Sequence, residues 1–148
     1  MIIPDINLLI YAHNDQSLNH RAAMHWWEGL LNGTESIGLP WAVSTGFVRV
    51  ITNSTVMAPV SALEAVDYVR HWLRYPHIAP INPGPDYMNY FRQNIKAVGI
   101  GRNLVPDAHI AALAMENEAE LHSNDSDFRR FPGLRWINPL RSEDGEAL

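Results

Sequence analysis

Cysteine is absent from the 148-residue chain. That excludes disulfides, thiolate metal sites and cysteine nucleophiles, and it suits a reducing cytoplasm. Long apolar runs are missing too. The first candidate, Ile2 to Ile10, is broken by Pro4, Asp5 and Asn7. No basic segment precedes it and it is too short to span a bilayer, so we expect a cytoplasmic protein without signal peptide or membrane helix. Positive charge is scarce: 11 Lys and Arg against 16 Asp and Glu give a net charge of −5. A sequence-indifferent nucleic-acid binder usually carries a basic face, and that class is disfavoured. The deficit is uneven, however. Glu143, Asp144 and Glu146 lie in the tail, and without those three acids −5 becomes −2.

Apolar residues make up 47% of the chain and charged residues 18%, a globular composition that fits one domain. We expect that domain over residues 1–140 and an acidic, disordered tail over residues 141–148. The five tryptophans suggest bulky core fillers, with Trp26, Trp27, Trp41 and Trp72 read as core or dimer interface.

Short apolar runs alternate with helical periodicity. Ile2 to Pro4 reads as a strand ending at Asp5, with a short helix from Ile6. His20, Ala23, Met24, Trp27, Leu30 and Leu31 keep helical spacing up to Asn32-Gly33. Ser36 to Leu39 is a second strand, followed by a helix from about Trp41 to Thr52. Ser61-Ala62-Leu63-Glu64 is a capping box opening a helix whose Ala62, Val66, Val69 and Leu73 share a face. His77 to Ile81 is a third strand, Tyr87 to Val98 a helix ended by Gly99-Ile100-Gly101, and Pro106 suits the first turn of a helix to about Asn117. Leu121 to Ser123 and Arg135 to Ile137 complete the strands. The alternation predicts an α/β three-layer sandwich with a five-stranded, mostly parallel sheet.

In such sheets ligands bind outside the carboxyl ends of the strands. That rule selects Asp5 after strand one and Asp125 after strand four, and Asp107 can join them from the first turn of its helix. Singly, each acid has a structural explanation. Asp5 can cap a helix, Asp107 favours a helix N-terminus, and Asp125 and Asp127 can stabilise a turn. Jointly, they fall at positions the sheet would bring to one edge. Two carboxylates ~4 Å apart repel by roughly 4 kcal/mol at an effective dielectric of 20, so such a cluster protonates or holds a cation. Oxygen-only ligands favour Mg²⁺ or Mn²⁺.

Ile3-Pro4-Asp5-Ile6-Asn7, Val105-Pro106-Asp107-Ala108-His109 and Ser123-Asn124-Asp125-Ser126-Asp127-Phe128 resemble the three acidic motifs of PIN domains. The match is nearest to the VapC-type ribonuclease toxins and runs from Met1 to about Leu140. The resemblance implies a homodimer that cleaves RNA with Mg²⁺ or Mn²⁺ and is covered by a VapB-like antitoxin. It assigns Asp5, Asp107 and Asp125 as metal ligands and Asp127 as a supporting acid, with Asn7 and Ser123 orienting the carboxylates.

One departure stands out. The family glutamate of the helix after strand two falls at Gly46, within Ser44-Thr45-Gly46-Phe47-Val48-Arg49. Thr45 or a water is the candidate to fill its place. Glu116, nine residues from Asp107, faces the other way on its helix. Arg49 is a candidate phosphate contact or a solvated arginine. Arg92, Lys96 and Arg102 flank the Gly99 to Gly101 turn as candidates to track RNA, though singly each reads as a solvated rim residue, and His109 reads as a packing residue. The alternative to a nuclease is a weakened PIN scaffold that binds RNA or a partner without cutting. A carboxylate phosphatase on another α/β fold is disfavoured, because Asn7 stands where its second acid would be.

Overall fold

Ile2–Pro4 form β1, and all three are buried because the strand lies at the centre of the sheet. The computed structural model describes residues 1–58, 60–99 and 102–141. The tail expectation therefore falls almost wholly outside the described residues, as do Ile100 and Gly101 of the expected turn. After β1 come α1 (Ile6–His13), α2 (His20–Leu31), β2 (Ile37–Pro40), α3 (Trp41–Ile51) and α4 (Ala62–Trp72). The chain continues through β3 (Ile78–Ile81), α5 (Tyr87–Val98), α6 (Val105–Glu116), β4 (Glu120–His122) and β5 (Arg135–Ile137). Two 3₁₀ turns, Arg102–Leu104 and Ser126–Arg130, were not expected from periodicity, which a single turn is too short to display. Among the described residues no helix is long and apolar enough to cross a membrane.

The sheet has five strands in the order β3-β2-β1-β4-β5, and every pairing is parallel. Parallel neighbours need crossover connections, and right-handed crossovers send α1 to α4 to one face and α5 and α6 to the other. The order reverses at β1, which pairs with β2 on one side and β4 on the other. A crevice opens there at the carboxyl edge.

The α4 face is offset from the periodicity reading. Ala65, Val69 and Trp72 are buried, while Ala62 and Val66 are exposed. Trp72 decides this: its ring sits 4.8 Å from Phe47 and 5.3 Å from Trp27, and burying an indole outweighs burying a valine. Ser61 Oγ accepts the Glu64 N–H, as the capping box requires. Trp27 is buried as well, but Trp41 is 47% exposed.

Helix α6 is buried nearly all round from Ala108 through Ile110 to Ala114, so the more exposed first turn that carries Asp107 projects from a firmly packed base. Glu116 at its far end accepts the backbone N–H groups of Gly84 (2.7 Å) and Asp86 (2.9 Å). It ties the end of α6 to the start of α5 and is committed there.

Gly46 lies buried where α3 meets α1. A Cβ there would collide with Ile6 Cδ1, so Ile6 fills the space a side chain would take. Overpacking costs about 1–3 kcal/mol and replacing a helical glycine by alanine returns about 1 kcal/mol. We expect Gly46→Ala to lose stability alone but to gain about 1 kcal/mol in an Ile6→Val background, which lacks Cδ1. Urea unfolding of the parent protein and the three variants measures this; equal effects in both backgrounds would exclude the contact.

Candidate metal centre

Asp5 sits where β1 gives way to α1. Its backbone N–H donates to His122 O (2.9 Å), which extends the β1–β4 ladder by one residue and sets Asp5 against the β4 end. Its Oδ1 accepts the Ile6 N–H (2.8 Å), so the capping explanation holds. Its Oδ2 accepts the Ser123 hydroxyl (2.7 Å). Ser123 Oγ in turn accepts the Asp125 N–H at 3.0 Å and, at 3.4 Å, an amide hydrogen of Asn7. Ser123 is fully buried and its hydrogen-bonding capacity is used up. Asp125 Oδ1 then accepts the Asp127 N–H (2.9 Å), starting the 3₁₀ turn Ser126–Arg130. Each acid has its local structural role and joins a chain of hydrogen bonds across the crevice.

Asp107, Asp125 and Asp127 form the tightest group: each offers a carboxylate oxygen, and these lie within 4.8 Å of one another. Asp5 lies outside that group, with both oxygens engaged, yet its charge reaches Asp107. Burial raises the Asp107 carboxyl, Asp5, Asp125 and Asp127 add to it, and the result is about 7. Asp5 is also raised, chiefly by burial, with Asp125 adding and the Ser123 and Ile6 hydrogen bonds opposing. Asn7 Oδ1 is buried and has no hydrogen-bond partner among the described residues, at the rim of the same network. An oxygen-only donor set whose charges suppress one another's ionisation fits a hard divalent cation.

The candidates to replace the family glutamate lie elsewhere. Thr45 Oγ1 donates to Trp41 O (2.9 Å), and Thr45 lines a groove between α3 and α4, away from the acids. Arg49 is exposed and lines a different cleft, with Ile6, Tyr87 and His109. His109 packs as expected but also lies 2.6 Å from the Tyr87 hydroxyl through Nδ1. Arg92 and Lys96 are exposed on α5.

Two neighbours of the cluster were missed from sequence. Arg130 Nε stands 3.8 Å from Asp127 Oδ1, an exposed pair one 3₁₀ turn apart. Trp136 Nε1 donates to Ser123 O (3.0 Å), pinning the serine from β5. The Asp127–Arg130 spacing was legible once a turn was assigned there; the Trp136 bond depends on strand register.

The comparisons agree with this fold. A PIN domain family model matches residues 2–134. The chain is 40% identical to ribonuclease VapC33 of Mycobacterium tuberculosis over 142 residues, covering 95% of this chain and 99% of that protein. Among solved structures, VapBC2 from Rickettsia felis, bound to a DNA fragment from its promoter, superposes with a TM-score of 0.65 at 21% identity, over 93% of this chain and 98% of that one. VapC20 of M. tuberculosis, a sarcin-ricin loop cleaving toxin, gives a TM-score of 0.64 at 14% identity, over 91% and 99%.

Ser123→Ala removes the hydroxyl that fixes Asp5 and Asp125. We expect divalent-cation affinity to fall about 10–100-fold with the fold retained, as calorimetry would register. Unchanged affinity would remove Ser123 from the centre. The second expectation concerns pH. The Asp107 carboxyl holds its proton in the fold up to about 7, so its contribution to metal-free stability is complete below 3.8 and is lost as pH rises through about 7. A cation needs the ionised form, so its affinity should climb with pH over that same interval. Carbon-13 NMR of the Asp107 carboxyl, without metal, should show a midpoint near 7 that drops in Asp125→Asn; an ordinary midpoint contradicts the clustering.

Proposed function

Because the chain belongs to the PIN-domain family, among the VapC ribonucleases, we propose that it is an endoribonuclease, the toxin of a VapBC-type toxin–antitoxin pair, with the aspartate cluster as its Mg²⁺ or Mn²⁺ site. The observation that carries this reading is the convergence of the Asp107, Asp125 and Asp127 carboxylates, with the charge of Asp5 beside them, an oxygen-only set suited to a divalent cation. Residues 1–140 form the PIN domain on this reading, and the protein acts in the cytoplasm as a homodimer. A VapB-like antitoxin is the partner; the R. felis neighbour was solved as such a complex.

Asp107, Asp125 and Asp127 would hold the cation, and Asp5 completes the oxygen set from the β1 side, aimed by Ser123. When bound, the cation lowers the pKa of water and offsets charge on the phosphate under attack. The buried body of α6 from Ala108 onward anchors Asp107, and Ser123 bridges Asp5 and Asp125, so the acids need little reorganisation when substrate arrives. Asn7 donates to Ser123 and keeps its hydroxyl turned to Asp5. In the reaction, water oxygen bonds to phosphorus in line with the departing O3′, the P–O3′ bond breaks, and O3′ leaves with a proton. The products are a 3′-hydroxyl and a 5′-phosphate.

A second reading has its own observation. Ile6 occupies the space beside Gly46, so the place of the family glutamate is apolar. A PIN scaffold that binds RNA or a partner without cutting would follow if that carboxylate were indispensable.

Purified protein with Mn²⁺ should cleave structured RNA, and Asp107→Asn should reduce the rate by at least about 100-fold, the scale of an electrostatic contribution made at the reacting phosphate. Equal cleavage by the two proteins rejects the cluster as the active site. Absence of cleavage together with no Mn²⁺ binding at millimolar metal selects the scaffold.

A further inference from the structure

Beside the acids, the two helix layers leave a cleft of about 400 Å³. Ile6, Arg49, Tyr87, Phe91, Pro106 and His109 contribute to its lining. Two of these adjoin the metal cluster in sequence: Ile6 follows Asp5 and Pro106 precedes Asp107. The cleft therefore begins where the acids end, on the neighbouring face of the α6 first turn.

Its wall is aromatic and rigid. Tyr87 and Phe91, one turn apart on α5, stack with centroids 5.6 Å apart and planes 12° from parallel. His109 meets Tyr87 edge-on at 5.4 Å, and its Nδ1 lies 2.6 Å from the tyrosine hydroxyl. That bond fixes the imidazole. Among the described residues Nε2 has no protein partner. It donates when the tyrosine hydroxyl donates to Nδ1, and accepts when that hydroxyl takes the Nδ1 hydrogen. Arg49, on the opposite layer, forms no salt bridge among the described residues. An apolar helix laid here would leave the imidazole nitrogen and the guanidinium unpaired. A nucleotide would not: its base has a face for the aromatic wall and an edge for Nε2, and its phosphate is a partner for Arg49.

We propose that this cleft is a base-recognition subsite, in which Tyr87 and Phe91 stack a nucleobase next to the scissile phosphate, His109 Nε2 reads its edge and Arg49 holds the adjoining phosphate. The proposal rests on the endoribonuclease reading for its substrate class. It makes His109 a specificity residue.

Two measurements test it. RNA hexanucleotides of each single base are titrated with Mg²⁺ into the Asp125→Asn protein, following the ring resonances of His109 and Tyr87. We expect those resonances to move, affinity to differ among the four bases, and the difference to vanish in His109→Ala. The otherwise native chain with Mn²⁺ is then given a random-sequence RNA pool. His109→Ala should flatten the base preference at one position beside the cut and raise KM about tenfold, the size expected from losing one base contact, with Mn²⁺ affinity unchanged. Tyr87→Phe keeps the ring and the packing, and should alter the preference less.

Cleavage with unaltered preference in both variants overturns the subsite and leaves the nuclease standing. Base-dependent binding without any cleavage supports the subsite and sinks the cutting step. Unaltered preference with a shift in oligomeric state by size-exclusion chromatography overturns the subsite in favour of a contact between copies.

Discussion

The Ser123 hydroxyl is the interaction on which the centre depends. It has one hydrogen to give and two lone pairs, and all three are spent: on Asp5, on the Asp125 backbone and on Asn7. The bonds to Asp5 and Asn7 reach 118 and 116 residues along the chain and close the crevice between β1 and β4. Without that bridge the carboxylates would drift apart, since acids ~4 Å apart repel by roughly 4 kcal/mol at an effective dielectric of 20. The hydroxyl counters some of this repulsion by lowering Asp5, but burial wins and Asp5 stays raised.

A site that works against its own charge must be held by parts that carry none. The buried helix α6 sets Asp107, and Asn94, fully buried, donates to Ala108 O (3.1 Å) one residue beyond it. On the β4 side, Trp26 Nε1 donates to His122 Nδ1 (3.0 Å), leaving Nε2 to donate to Glu120 (3.2 Å). Burial holds His122 below the usual imidazole range, which keeps Nδ1 free to accept from Trp26. Trp136 fixes the Ser123 carbonyl, and Arg129 covers the Trp136 ring at 5.4 Å. The strand that delivers Ser123 is thus clamped from α2 and from β5. The acids themselves contribute little to the clamp.

Gly46 connects the centre to its surroundings. With no side chain, α3 comes down on Ile6, immediately after Asp5, and an apolar surface replaces the carboxylate the family resemblance leads one to expect there. The same Ile6 lines the cleft that carries Arg49 and His109. One small residue thus shapes both the charge around the acidic cluster and the floor of its neighbour.

Much of this was legible in advance, because it depends on short-range chemistry. Periodicity, the capping box at Ser61 and the proline at position 106 mark where helices begin, and these signals act within a turn or two of chain. The parallel sheet follows from the alternation of strands and helices, and the carboxyl-edge rule then gathers Asp5, Asp107 and Asp125. The face α4 buries was decided by Trp72 meeting Phe47 and Trp27 from other helices, which no local period encodes. Asp127 joining Asp107 and Asp125 more closely than Asp5 depends on a single 3₁₀ turn. The pairing of Tyr87 with His109 depends on how α5 lies across α6. The sequence by itself determined which acids would meet, since strand ends and helix starts are local properties. Only the tertiary structure decided how closely each approached and what lay beside them, because those distances are set by side chains from distant segments packing into the same space.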